Sequence, residues 1–182
     1  EDLSPDTLIV HSSKAYTFSG NGAIVAGSLV KQGSGTLTLS GDHSYTGGNY
    51  LKGGVVKVSA LSNENKATGN LGGVTSQASK FTMEGGATLQ TTAAVTNGSP
   101  IRLVGEEGGI ISNAADFNQN KAFSGTQLTK TGGGWLKTYV TGASLAKMVI
   151  AAGTVQNMNG IAAKTIEFQG GSLVDNVGTN NT

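Results

Sequence analysis

The chain has no cysteine, two prolines, one tryptophan and only 13% charged residues. Without cysteine it can hold neither a disulfide nor a thiolate metal site. That leaves the redox compartment open, and it suits an exported chain that must cross membranes unfolded and unlinked. Lysine and arginine total 12 against 11 acids, with no basic cluster or stripe, so no nucleic-acid partner is expected. No apolar run is long enough to span a bilayer. Any membrane attachment is therefore expected through an anchor outside this chain. There is no initiating Met or apolar leader, and the last residues read as a polar loop. Residues 1–182 are accordingly expected to be a single segment of a longer protein.

The sequence does hold 29 glycines in 182 residues, set among Thr, Ser, Val and Asn. They lack the strict three-residue spacing of collagen. Many instead precede short aliphatic runs. Gly35, Gly54, Gly86, Gly109, Gly134, Gly153 and Gly171 are each followed within three residues by an aliphatic, at intervals of 19, 32, 23, 25, 19 and 18. The longest interval contains a polar, Asn-rich excursion. Thr36 to Ser40 alternates polar and apolar with period 2, which predicts a strand with Leu37 and Leu39 inward and Thr36 and Thr38 outward. Phe81 to Met83, Thr88 to Gln90 and Thr165 to Phe168 continue the theme.

A longer repeat encloses the short one. LVKQGSGTL at Leu29 to Leu37 is echoed by LTKTGGGWL at Leu128 to Leu136, 99 residues on. The register holds without a gap over residues 15–59 and 114–158. Ala15, Phe18, Asn21, Ala23, Leu29, Lys31, Gly33, Gly35, Leu37, Gly54 and Val56 all recur. One segment pulls the other way. Leu145, Met148, Val149 and Ala152 have helical spacing, but the register sets Met148 to Ile150 on Asn49 to Leu51, between two turns.

Strands this short cannot bury an apolar face alone, and repeats of this length mean stacked units. The expected fold is all-β: a parallel β-helix of about eight coils of roughly 20 residues. Glycine bends turn its corners, and Leu37 lies over Val56 in a dry column. At ~4.8 Å per coil the axis would run roughly 35–40 Å. Bare end coils predict some end-to-end self-association.

The stretch Leu29 to Ser59 resembles the passenger-associated repeat of bacterial autotransporters, whose pattern reads approximately L-x-K-x-G-x-G-T-L-x-L-S-G, then Y-T-G-G, then G-G-x-[LV]-x-V. The match lies at Leu29, Lys31, Gly33, Gly35, Thr36, Leu37, Leu39, Ser40, Gly41, Tyr45 to Gly48, Gly53 and Gly54. GGATL at Gly85 to Leu89 fits the following coil. The second copy departs: Trp135 replaces the Thr, and the S-G and Y-T-G-G elements are lost. The resemblance implies a right-handed parallel β-helix, with membrane attachment only through a C-terminal anchor not in this chain. It also implies a secreted or outer-membrane-attached bacterial surface location, and a non-enzymatic structural or adhesive stalk that helps export and folding. The expected partners are adjoining coils of the parent protein and a host or matrix surface or glycan. The alternative is a carbohydrate-binding or carbohydrate-cleaving β-helix fragment.

No catalytic, cofactor-binding or metal residue is expected. The acids are scattered, and the adjacent Glu106 and Glu107 read as a solvated turn. His11 and His43 are isolated and are expected at the surface. There is no G-x-S-x-G, P-loop or dinucleotide pattern. Trp135 is predicted to point outward, by register with Thr36, with Tyr139 near it. The pair is a candidate contact for a glycan or partner, or simple packing against the coil's flank.

Overall fold

In the computed structural model, residues 1–63, 68–75, 77, 80–139, 142–159 and 161–175 are described. The strands stack as eight coils with three faces. Alternation decides which side chains enter. Ser28–Gln32 and Thr36–Leu39 bury every second residue, as expected of a pleated strand with one dry side. Leu37 and Leu39 point in, as the period-2 pattern predicts.

The first face stacks Thr7–His11, Ser28–Gln32, Asn49–Leu51, Phe81–Glu84 and Ile101–Val104, then the start of Phe123–Thr131. The second stacks Tyr16–Phe18, Thr36–Leu39, Val55–Val58, Ala87–Thr91 and Gly109–Asn113, then the end of Phe123–Thr131. The third face carries Val95–Asn97, Phe117–Gln119, Trp135–Thr138, Thr154–Asn157 and Ser172–Asp175. Nearer the N-terminus that face is reduced. Ala23 to Val25 forms only an isolated parallel bridge between Ile24 and Leu3, rather than the short strand its sequence suggests. Among the described residues all strand-to-strand ladders are parallel, and the one antiparallel contact is an isolated bridge from His43 to Gly69.

The interior is a set of columns running along the axis. On the second face Leu37, Val56, Leu89, Ile111, Lys130 and Ile150 lie one above another, and the column ends on the exposed Tyr16 and Phe168. Leu37 pairs with Val56, as expected. Each strand buries its apolar residues only because a neighbouring coil covers them, so the columns couple the coils into one core.

The corner between the first two faces changes character along the axis. In the early coils it is a glycine turn, such as Gly33 to Gly35. In the last three coils the strand runs round the bend unbroken, as in Phe123–Thr131, Ala143–Ile150 and Ile161–Phe168. Ala143–Ile150 is therefore strand, and its helical spacing has a simple origin. Leu145 points in on the first face, and Met148 and Ile150 point in on the second. Rounding the corner shifts the inward phase by one residue, which turns period 2 into an apparent i, i+3 step.

The excursion between the third and fourth coils contains no named strand among its described residues. Asn70 pins it. Its side-chain oxygen accepts from Ser59 N and Ala60 N, both at 2.8 Å, and its amide nitrogen donates to Gly41 O at 2.7 Å.

Candidate functional site

Two buried lysines explain why the repeat has its glycines. Lys31 is 1% exposed, and its Nζ donates to Gln32 O and Gly33 O at 2.9 Å and to Gly53 O at 3.2 Å. Lys130 is 0% exposed, and its Nζ donates to Thr131 O and Gly132 O at 2.7 Å and to Ala152 O at 3.2 Å. In each case the ammonium sits inside a corner and ties it to the next coil. All three of its donors are used, which is what a buried charge requires.

Two glycines per corner make room for this. Gly33 and Gly132 have φ of 74° and 78°, a left-handed bend that glycine takes without steric cost. Gly54 and Gly153 lie one coil on, and a Cβ there would meet Lys31 Nζ at 2.8 Å or Lys130 Nζ at 2.7 Å. Burial pulls both lysines below the ordinary value, Lys130 to about 8. Nothing in composition or spacing marked these lysines as interior. The available signal was their recurrence in register with the two glycines.

Other corners use amides for the same purpose. Asn113 Nδ2 donates to Ala115 O at 2.6 Å and to Trp135 O at 3.0 Å. Asn97 Nδ2 donates to Gln119 Oε1 at 2.8 Å, and Gln119 Nε2 donates to Lys121 O at 2.6 Å. Tyr45, from the Y-T-G-G element, is buried. Its hydroxyl donates to Asn49 Oδ1 at 2.8 Å, and Asn49 Nδ2 donates to Leu71 O at 3.0 Å. These polar groups satisfy the chain's own backbone and side chains, so they serve the fold.

His11 lies at the surface, but His43 does not. It is 3% exposed, and its Nδ1 accepts the Ile24 N–H at 3.1 Å. The expectation of a surface histidine is corrected here. His43 is held between Ile24, whose N–H it accepts, and Gly69, which bridges its backbone, contacts between segments that spacing does not reveal. Glu106 and Glu107 are exposed in the corner before Gly108. Other acids are paired across coils with bases: Asp116 with Lys137 at 2.6 Å, Glu167 with Lys147 at 2.6 Å and Glu84 with Lys52 at 3.5 Å. Among the described residues no group of three or more His, Asp or Glu is placed to hold a metal ion. Two clefts of about 230 and 220 Å³ lie at the uncovered edge of the first coil, beside Leu3 and Ile24 and beside Leu8 and Val10.

Trp135 and Tyr139 stand on the outer side of the third face, each 39% exposed. They are not adjacent: Lys137 projects between them from the same strand. Its Nζ lies 5.7 Å from the Trp135 ring centroid and is held by Asp116. That hydrogen bond holds the ammonium above the ordinary lysine value. The Tyr139 hydroxyl donates to Asn118 Oδ1 at 3.4 Å. The ladder thus produces a fixed aromatic–cation–aromatic row.

The corner lysine, its two glycines and the buried tyrosine turn together make up one stretch of chain. Residues 29–58 match the Passenger-associated-transport-repeat family. The repeat therefore begins at Leu29, takes in the Lys31 corner and Tyr45, and ends on Val58. Over 178 residues the chain is also 33% identical to the Adhesin BmaC autotransporter of Brucella suis biovar 1 (strain 1330). That similarity covers 86% of this chain, and the chain spans 5% of the length of that relative. No solved structure matches.

Proposed function

We propose that this chain is a non-enzymatic structural and adhesive segment of a bacterial surface passenger. It would act as a rigid stalk coil array, secreted or held at the outer membrane through an anchor elsewhere in the parent. The observation that carries this reading is the use of the polar residues of the repeat. Lys31, Tyr45 and Asn49 are spent on the shaft's own corners, and the apolar residues on its columns. Similarity to an autotransporter adhesin supplies the setting. The repeat's part in export would follow from the same construction, because each coil templates the next as it emerges.

The test uses the full parent protein in its own cells. An antibody against this segment should label intact cells, and deleting residues 29–58 should lower the labelled amount at equal synthesis. Labelling only after permeabilisation would overturn the surface reading. The carbohydrate-related reading is favoured by one observation, the exposed Trp135 and Tyr139 row.

A further inference from the structure

The middle of the outer third face carries a compact group of aromatic and polar side chains. Trp135, Lys137 and Tyr139 form its middle row. Asn118 pairs with Lys137 from the coil before, and Gln156 pairs with it from the coil after. Trp135 to Tyr139 spans ~13 Å along the strand, and Asn118 to Gln156 spans ~10 Å across the coils. A stable protein interface covers ~800 Å² per partner, several times this grid. The area suits a short run of sugar rings.

The charge points the same way. Lys137 and Asp116 are in contact at 2.6 Å and cancel locally. An anionic polymer would have to displace Asp116 from the Lys137 ammonium, and a cationic one would have to displace Lys137 from the Asp116 carboxylate. Exposed indole surface and side-chain amides remain. The Gln156 amide makes no hydrogen bond to the described residues, while Asn118 holds Tyr139 and reaches Thr96 Oγ1 at 3.5 Å. A neutral sugar has an apolar C–H face and a rim of hydroxyls that both donate and accept. Aromatic surface suits the first and amides suit the second.

We propose that this grid binds a neutral polysaccharide, with a sugar ring on Trp135 and its hydroxyls on Gln156 and Asn118. Lys137 lies over one side of the indole and is itself held by Asp116, so the platform is ordered before ligand arrives, and the sugar ring would pack on the indole surface that Lys137 leaves exposed. The inference deepens the adhesive reading above, on which its biological setting rests.

Trp135 is the chain's one tryptophan, so intrinsic emission reports this position alone. The purified chain would be titrated with β-glucan, galactomannan and xyloglucan, with heparin as the anionic control. The expected result is a saturable emission change with at least one neutral polymer, together with retardation on a native gel containing it. Trp135→Ala, folded by circular dichroism, should weaken the retardation at least about tenfold. No response to any neutral polymer, binding to heparin alone, or unchanged retardation of Trp135→Ala would each overturn the proposal. Surface labelling of cells without glycan binding would sink this inference and leave the stalk reading intact. Glycan binding by a chain that never reaches the surface would do the reverse.

Discussion

The corner at Leu29 to Leu37 and the corner at Leu128 to Leu136 have the same chemistry in different places. The first turns the chain from face one to face two, and the second from face two to face three. The shift persists through the repeat. Asn49–Leu51 lies on face one, while its register mate, Met148 to Ile150, lies on face two. Val55–Val58 lies on face two and Thr154–Asn157 on face three. The 99-residue repeat is therefore a screw operation that advances by whole coils plus one face. What recurs is a portable corner: a lysine on the strand before it, a left-handed glycine within it and a small glycine one coil on. The faces of this solenoid are similar enough that the corner works at either position.

The harshest way to break the equivalence is to fill the space above the ammonium. Gly54→Val and Gly153→Val would each drive a side chain into the lysine and the carbonyls around it, from a backbone at φ 66° or 71°. Each should cost about 3–5 kcal/mol in urea unfolding, combining overpacking with left-handed strain. Unequal losses would show that the two corners differ in stiffness.

Lys31→Met and Lys130→Met are milder. Methionine fills much of the space but leaves three carbonyls short of a donor. About 2–4 kcal/mol should be lost at either site, seen as a lower urea midpoint with an unchanged slope. A loss at only one site would break the claim that the corner is portable.

The pH response sharpens the comparison further. Burial brings Lys130 to about 8 in the folded chain, against 10.5 as its ordinary value. Between those values the unfolded chain binds the extra proton, so stability rises with pH across that window. The gap in unfolding free energy between the parent chain and Lys130→Met should widen from pH 8 to 10. A gap that narrows would mean that the carbonyls outweigh the burial.

The smallest effect lies at the first coils. Burial lowers the His43 value below 6.5, with Asp42 pulling against it. The unfolded chain then takes up the proton first, and stability falls as pH drops below 6.5. A proton on Nδ1 would also remove the acceptor for Ile24 N–H. His43→Gln should flatten the urea midpoint between pH 6.5 and 5, and a parent chain already flat there would refute the assignment.

Much of this architecture was legible before any coordinates. Alternation at Thr36 to Ser40 gave the inward leucines, and glycine spacing gave the coil. The outward position of Trp135 followed from Thr36, because a whole-face shift preserves which side chains point out. The screw itself was not legible, since counting residues does not reveal which corner a turn occupies. Lys31 and Lys130 were hidden by their charge: burial of lysine is the last reading a polar residue suggests. The Trp135 row was seen only in part, because Lys137 and its hold on the indole depend on Asp116 in the neighbouring coil.

The single-face advance has a geometric corollary for a longer passenger. A third copy at the same spacing would turn the matching surface by one further face, so that each of the three faces would carry it once. Equivalent outer patches would then wind round the shaft like the treads of a spiral stair. A filament built that way would present the outer side of the repeat on every side of its axis.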